Sequence, residues 1–394
     1  MTATIAFALL WLLVFSIPWE KSITLGGLGT LTRLLGSVAL VGGVLDAAIR
    51  RTIRPPHLAL ILTMAFTLWS GTTWWWSADP DATVTRALTL VQLCLMSWLC
   101  WQLCRTPAQQ RALLGAYTAG AAVASLATIA RYAGNLQTYY RRYAAPGFDP
   151  NDLGLTVALA IPVALYLASS RSGPQAWLWR AAVLLCGAAI LLTASRTALL
   201  CAFAAFLFVP LAWSRSTPVA RWSGIALLAL FLAGAVKLAP KESRTRIATI
   251  GQEITKGTLH KRTTIWKAGL RAWKAHPLSG VGSGAYPDAV RPLIGVPGVP
   301  GHEYVAHNTF LSVLVETGLV GFALYAAGLA VFVAFILAMR PHEAALWSVV
   351  LAVWLLGAST LTWEHRKAAW ILLALLACEW SRAFLAPPAR GARP

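Results

Sequence analysis

The chain has 394 residues, of which 58% are hydrophobic and 12% charged, with 33 Lys and Arg against 14 Asp and Glu for a net charge of +19. So apolar a composition excludes an ordinary soluble domain and implies an all-α polytopic membrane protein. Met1 to Trp19 lacks the basic start of a secretory signal, and further apolar segments follow it along the whole chain.

A helix needs about 20 apolar residues to cross about 30 Å of hydrocarbon. On that measure twelve segments are expected to span, near 3–19, 28–49, 57–76, 83–104, 111–132, 152–170, 177–194, 197–214, 221–239, 308–339, 343–362 and 367–386. The expected organisation is one membrane domain over 1–394, with a large loop at 240–306 between spans nine and ten and a disordered tail at 387–394.

Orientation follows from the short loops. With a cytoplasmic N-terminus, the inside loops hold Arg50, Arg51, Arg54, Arg105, Arg111, Arg171, Arg180, Arg215, Arg221 and Arg340, and the tail holds Arg382, Arg390 and Arg393. That is the positive-inside pattern, so both termini are expected in the cytoplasm. Residues 237–306 break the pattern with eleven Lys or Arg against four acids. Long loops cross the membrane regardless of charge, and as a set these cations suit an anionic substrate handled outside the cytoplasm.

Taken along the chain, "TTWWWSADP" at 72–80 reads as interfacial anchorage. Asp79 and Asp81 have the spacing of a metal-binding DxD, but helix-start capping explains them first. In "YYRRYAAPGFDPNDLG", Arg141 and Arg142 precede span six, and Asn151 or Asp152 is expected as its N-cap. "LLTASRTALL" puts Arg196 in a very short turn, where a charge beside lipid must be paired or wetted. Cys94, Cys100, Cys104, Cys186, Cys201 and Cys378 all fall in spans and indicate no disulfide framework.

The large loop contains a helical pattern, "HKRTTIWKAGLRAWKAHPLSG", with Trp266, Leu270 and Trp273 at i, i+4 and i+7 and Pro277 ending it. Lys267, Arg271 and Lys274 share another face, whereas Arg262 falls four residues before Trp266 on the protein side, where it needs a partner. "GVGSGAYPD" is a glycine-rich turn without the strand or the following GK[ST] of a phosphate loop. His307 and Asn308 then stand where the loop gives way to span ten, with His302 five residues earlier.

Several motifs in this order resemble the O-antigen ligase superfamily, which includes O-antigen ligases, O-antigen polymerases and bacterial O-oligosaccharyltransferases. They are "FDPND" at 148–152, "TASR" at 193–196, "RTTIW" through "HPLSGVGSGAY" at 262–286, and His307-Asn308 followed by Gly318 and Gly321. The resemblance covers most of the chain, and the length fits the ligase best. It implies a GT-C-type inverting glycosyltransferase facing the periplasm of the bacterial inner membrane. The donor would be O-antigen polysaccharide on undecaprenyl pyrophosphate, the acceptor a sugar hydroxyl of lipid A-core, and the product lipopolysaccharide. The family's functional histidine carries over to His307 and its arginines to Arg196 and Arg262, with Arg142 or its neighbour Arg141 assisting, and Asn151 and Asn308 as further substrate contacts.

The residue types suit that chemistry. Guanidinium forks stabilise a departing pyrophosphate without a metal or cofactor, and a neutral imidazole accepts the acceptor's proton. A helix start would keep His307 neutral through its dipole, while Leu311, Leu314, Gly318 and Gly321 fix the helix behind it. Membrane lipids are expected partners and nucleic acid is not. The alternative class is a lipid-linked saccharide flippase or transporter, but that calls for repeat symmetry and polar residues at midplane, whereas the polar residues here gather at one face.

Overall fold

The structure is a computed structural model that describes residues 2–138, 141–169, 173–237, 262–294 and 304–385. Its helices, in chain order, are α1 (Thr2–Ser16), α2 (Leu31–Arg50), α3 (Leu58–Thr72), α4 (Pro80–Leu103), α5 (Pro107–Ala133), α6 (Pro150–Ser169), α7 (Pro174–Thr193), α8 (Arg196–Ala205), α9 (Phe208–Leu211), α10 (Pro218–Lys237), α11 (Arg262–Ala275), α12 (Tyr286–Ile294), α13 (Thr309–Leu337), α14 (Pro341–Ala358) and α15 (Lys367–Leu385). Six of them begin on proline, whose fixed φ and missing N–H suit the first helical position. Among the described residues there is no strand, only an isolated bridge between Thr24 and Thr30.

Eight helices are long and apolar enough to cross a membrane: α2, α4, α5, α6, α7, α10, α13 and α14. The remaining four expected spans correspond to α1, α3, the broken pair α8 and α9, and α15. The tail at 387–394 and much of the 240–306 loop, including His302, lie outside the described residues.

The core forms around α6, which is buried from Leu153 to Ala168 because α5, α7, α8 and α14 surround a segment without a charge after Asp152. Gly154 permits this packing at one end, since a Cβ there would meet Ala198 and Thr193. All six cysteines are free and buried.

One departure from regular structure positions everything that follows. The long α13 is interrupted at Gly318, whose φ of 66° and ψ of −169° are open to glycine but not to side-chain residues. This corrects the expectation that Gly318 serves close packing along a continuous helix. The segment 277–284 enters the break: Val281 N–H donates to Val315 O at 3.0 Å, Gly282 N–H to Glu316 O at 3.0 Å, and Leu319 N–H to Pro277 O at 2.9 Å. Backbone groups freed at membrane depth must be satisfied by protein, and this loop supplies the partners. A Cβ on Gly318 or on Gly280 would run into the opposing backbone, at Leu278 O and Glu316 O respectively. Gly321 instead packs closely on Trp69 and its own Thr317.

Candidate active site

The site lies at the end of the bundle where α6, α8, α13 and α15 begin and α7 and α14 finish. Two short connections build one side of it. Ala194, at φ 49°, ends α7, and Ser195 caps α8 by accepting Ala198 N–H at 3.3 Å, so Arg196 becomes the first residue of α8, half-buried in a two-residue turn. Thr197 Oγ1 meets Thr360 Oγ1 at 2.8 Å, bringing the loop before α15 to the same place.

The adjacent pair Arg141 and Arg142 is resolved by burial. Arg142 is 4% exposed, its Nε donating to Thr193 O and a terminal nitrogen to Asn151 Oδ1, both at 2.8 Å. Arg141 is exposed, with positive φ, and its N–H donates to Gln137 Oε1 at 3.1 Å. The cap of α6 is neither Asn151 nor Asp152, as the sequence suggested, but Asp149, whose Oδ1 accepts the N–H groups of Asn151 at 2.8 Å and Asp152 at 3.4 Å. Pro150 takes the first helical position and so moves the cap one residue upstream. Asn151 is thereby free to hold Arg142, and Asp152 to pair elsewhere.

On the other side, α11 carries Arg262 at its first turn. Its buried face is Ala268, Gly269 and Ala272, whereas Leu270, expected inward, is 41% exposed. Small residues win that face because Tyr286 of α12 packs against Gly269, its hydroxyl donating to Ile265 O at 3.0 Å. Trp266 lies at the flank, and its Nε1 donates to Ala306 O at 2.7 Å. This bond draws residue 307 to the helix face that bears Arg262, one turn away. Lys267, Arg271 and Lys274 are exposed as expected.

His307 is half-buried, with φ of 47°, one residue before the cap of α13. Asn308 is that cap, its Oδ1 accepting Leu311 N–H at 3.0 Å. Burial pushes the His307 imidazolium down from its usual range, and Arg262 adds to this, while Asp149 and Asp152 oppose it. Burial and the Arg262 charge thus favour the neutral imidazole.

These contacts form a chain from the Arg196 turn through Thr193, Arg142 and Asn151 to Asp149, whose charge acts on His307 as that of Arg262 does. Asp152 continues it, accepting Trp363 Nε1 at 3.0 Å and pairing with Arg366 at 2.6 Å and Lys21 at 3.4 Å. Trp363 N–H in turn donates at 2.8 Å to Thr309 Oγ1, beside Asn308.

The sequence reading missed much of this. Asp149, Asp152, Glu316 and Glu364 all lie at this end, where Arg86 pairs with Glu364 and stands 3.7 Å from Glu316. Glu316 also accepts Gly284 N–H at 2.7 Å and the Ser312 hydroxyl at 2.9 Å, binding the inserted loop to α13. Burial raises the Glu364 carboxyl, but Arg86 and His365 outweigh it and hold it below the ordinary range. His365, 3.0 Å from Glu364, is pushed to about 4 by burial and Arg86. Arg86 and Glu316 were visible as ionisable residues inside apolar spans, which is itself a functional or structural signal. Asp79 caps α4, accepting Ala82 N–H at 3.0 Å.

No curated protein matches the chain. Residues 181–326 match the family model described as O-Antigen ligase. That stretch runs from α7 into α13 and takes in Arg196, Arg262, His307, Asn308 and Gly318, while Arg141, Arg142 and Asn151 precede it. Over residues 181–326 this multi-pass chain is thus similar to the O-antigen ligase family, which supports a function of the ligase or polymerase type.

Proposed function

We propose that the protein is an O-antigen ligase, transferring O-antigen polysaccharide from undecaprenyl pyrophosphate to a sugar hydroxyl of lipid A-core by metal-independent, inverting glycosyl transfer. The observation that carries this reading is a half-buried His307 at the mouth of a membrane helix, tied to the Arg262 helix through the bond from Trp266 to Ala306 O. The acceptor oxygen forms a bond to the anomeric carbon as the bond to the donor phosphate breaks, the hydroxyl proton passes to His307, and the electron pair leaves on the pyrophosphate. Arg262 and Arg196 hold the developing charge through bidentate hydrogen bonds, which Lys cannot reproduce. Arg142 is a supporting residue, because its guanidinium already fastens the loop to Thr193 and Asn151.

The engagement of Asp149 and Asp152 favours arginine over a metal as the electrophile, since Asp149 caps α6 and Asp152 is taken by Trp363, Arg366 and Lys21. Arg50, Arg54, Arg105 and Arg340 lie at the opposite end of the bundle, which supports a cytoplasmic placement of that end and a periplasmic site in the inner membrane.

Deleting the gene and resolving lipopolysaccharide on a gel tests the assignment. A ligase loses the O-antigen ladder while lipid-linked polymer accumulates, whereas a ladder collapsed to core plus one repeat makes the protein a polymerase. Purified ligase turns over in excess chelator. Loss of activity restored by Mg²⁺ or Mn²⁺ contradicts the arginine mechanism.

A further inference from the structure

A cleft lies between α3, α4, α13, α14 and α15, and its lining does not include His307, Arg196 or Arg262. Its walls are almost wholly apolar, with Phe66, Tyr325, Gly328 and Phe332 among them. Along α13 it extends from Leu324 to Phe332, about 12 Å at 1.5 Å per residue. An apolar space of that length within the membrane-spanning part of a bundle suits hydrocarbon, since water finds few polar partners along it.

Two buried polar groups on its lining give the occupant's other end. Glu364 is 3% exposed; Arg86 and His365 engage its Oε1, but its Oε2 has no hydrogen-bond partner among the described residues. Trp354, also 3% exposed, has an indole N–H without a partner among the described residues. Arg86 stands between Glu364 and Glu316, and the neighbouring cations are taken, Arg366 by Asp152 and Lys367 by Glu20. A buried carboxylate oxygen without a donor is costly. The ligand that relieves both groups brings an N–H donor for Glu364 and an oxygen acceptor for Trp354. It also excludes a headgroup that is purely anionic, such as a lipid pyrophosphate.

We propose that this cleft binds one hydrocarbon chain of an aminophospholipid of the surrounding bilayer, with its primary ammonium at Glu364 and an ester or phosphate oxygen at Trp354. The proposal does not depend on which glycosyl acceptor the enzyme uses. Trp363 lines the same cleft and holds Asp152 through its indole, so the bound lipid abuts a wall of the site.

Gly328 provides the test, because a Cβ there meets nothing within 4 Å and a larger side chain grows into the cleft. The full-length protein, delipidated in detergent, is titrated by native mass spectrometry with phosphatidylethanolamine, phosphatidylcholine, phosphatidylglycerol and a polyprenyl phosphate. Phosphatidylethanolamine should bind at least about tenfold more tightly than the other three, a free-energy difference of about 1.4 kcal/mol. Gly328→Phe should lose that binding and Gly328→Ala keep it, while Glu364→Gln erases the preference for the ammonium headgroup. Retention by Gly328→Phe, or equal binding of phosphatidylglycerol or polyprenyl phosphate to the unmodified protein, overturns the proposal. The lipid preference of the unmodified protein decides the matter if Gly328→Phe does not fold.

Discussion

The two ends of the bundle use the same residue types differently. At the end away from His307, charges are settled on carboxylates of the same helix turn or on uncharged partners. Arg50 pairs with Asp46 and Arg382 with Glu379, each within one turn of its own helix. Arg54 lies 3.4 Å over the Trp101 ring and donates to Trp101 O and Ser381 Oγ, and Arg180 donates to Ser223 at 2.9 Å. At the site end the partners come from distant parts of the chain: Arg86 with Glu364, Lys21 and Arg366 with Asp152, and Lys367 with Glu20. The first arrangement fastens helices to one another. The second fixes several loops around a half-buried histidine, as a site for an anionic reaction centre requires.

Substitution at the two ends should separate these roles most strongly in turnover. Arg262→Ala and Arg196→Ala are each expected to lower the transfer rate by about 10²–10³, the scale of a lost charge-stabilising donor, with the protein still inserted. Arg262→Lys and Arg196→Lys should recover little. Arg54→Ala and the exposed Arg141→Ala should keep rates close to the parent, and assays with purified donor and acceptor would reveal any failure of that contrast.

Stability sharpens the comparison next. Arg86→Ala leaves Glu316 and Glu364 buried without their cation and should cost about 3–5 kcal/mol, whereas Lys21→Ala, at a partly exposed pair, should cost no more than about 1 kcal/mol. Unfolding in detergent measures both, and equal losses would remove the distinction between the buried pair and the rim.

Smaller effects follow from the break in α13. Gly318→Ala should cost about 1–3 kcal/mol for its positive-φ, extended-ψ conformation, plus the displacement of Leu278 O that a Cβ there enforces. Gly71→Ala, in α3 with open space around its Cβ, should be neutral or stabilising. Similar melting shifts in the two variants would contradict the inserted-loop account.

The pH profile gives the finest distinction. Because burial and Arg262 lower the His307 pKa from 6.5, protonation should cut activity only as pH falls below about 6.5. Asp149 opposes that shift, so Asp149→Asn, which keeps a capping side chain, should move the acid limb to still lower pH. An acid limb above 6.5, or one moving upward in Asp149→Asn, would exclude His307 as the titrating group.

Much of this was readable from the sequence because membrane spans and motif order are strong one-dimensional signals. Hydropathy alone marks α2, α6 and α13, and the positions of Arg196, Arg262 and His307 follow from short segments around helix starts. What escaped depends on pairing across the chain. Nothing local ties Asp152 to Lys21 and Arg366, or Arg86 to Glu364, whose partners lie 278 residues apart. The role of Gly318 was hidden for the same reason, since its spacing from Gly321 suits helix packing and only the loop from Pro277 shows that the helix is opened there. The inward face of α11 was misread because Gly269 and Ala272 carry no hydrophobic signal, although they allow Tyr286 its place.

The central claim is that His307 accepts the acceptor's proton beside an arginine-held donor. Purified His307→Ala, assayed for transfer while donor binding is measured separately, tests it most directly, with His302→Ala as the companion. The account predicts that His307→Ala binds donor as the parent does and loses transfer by orders of magnitude, while His302→Ala remains active. A fully active His307→Ala protein, or one whose loss is explained by failure to bind donor, would contradict it.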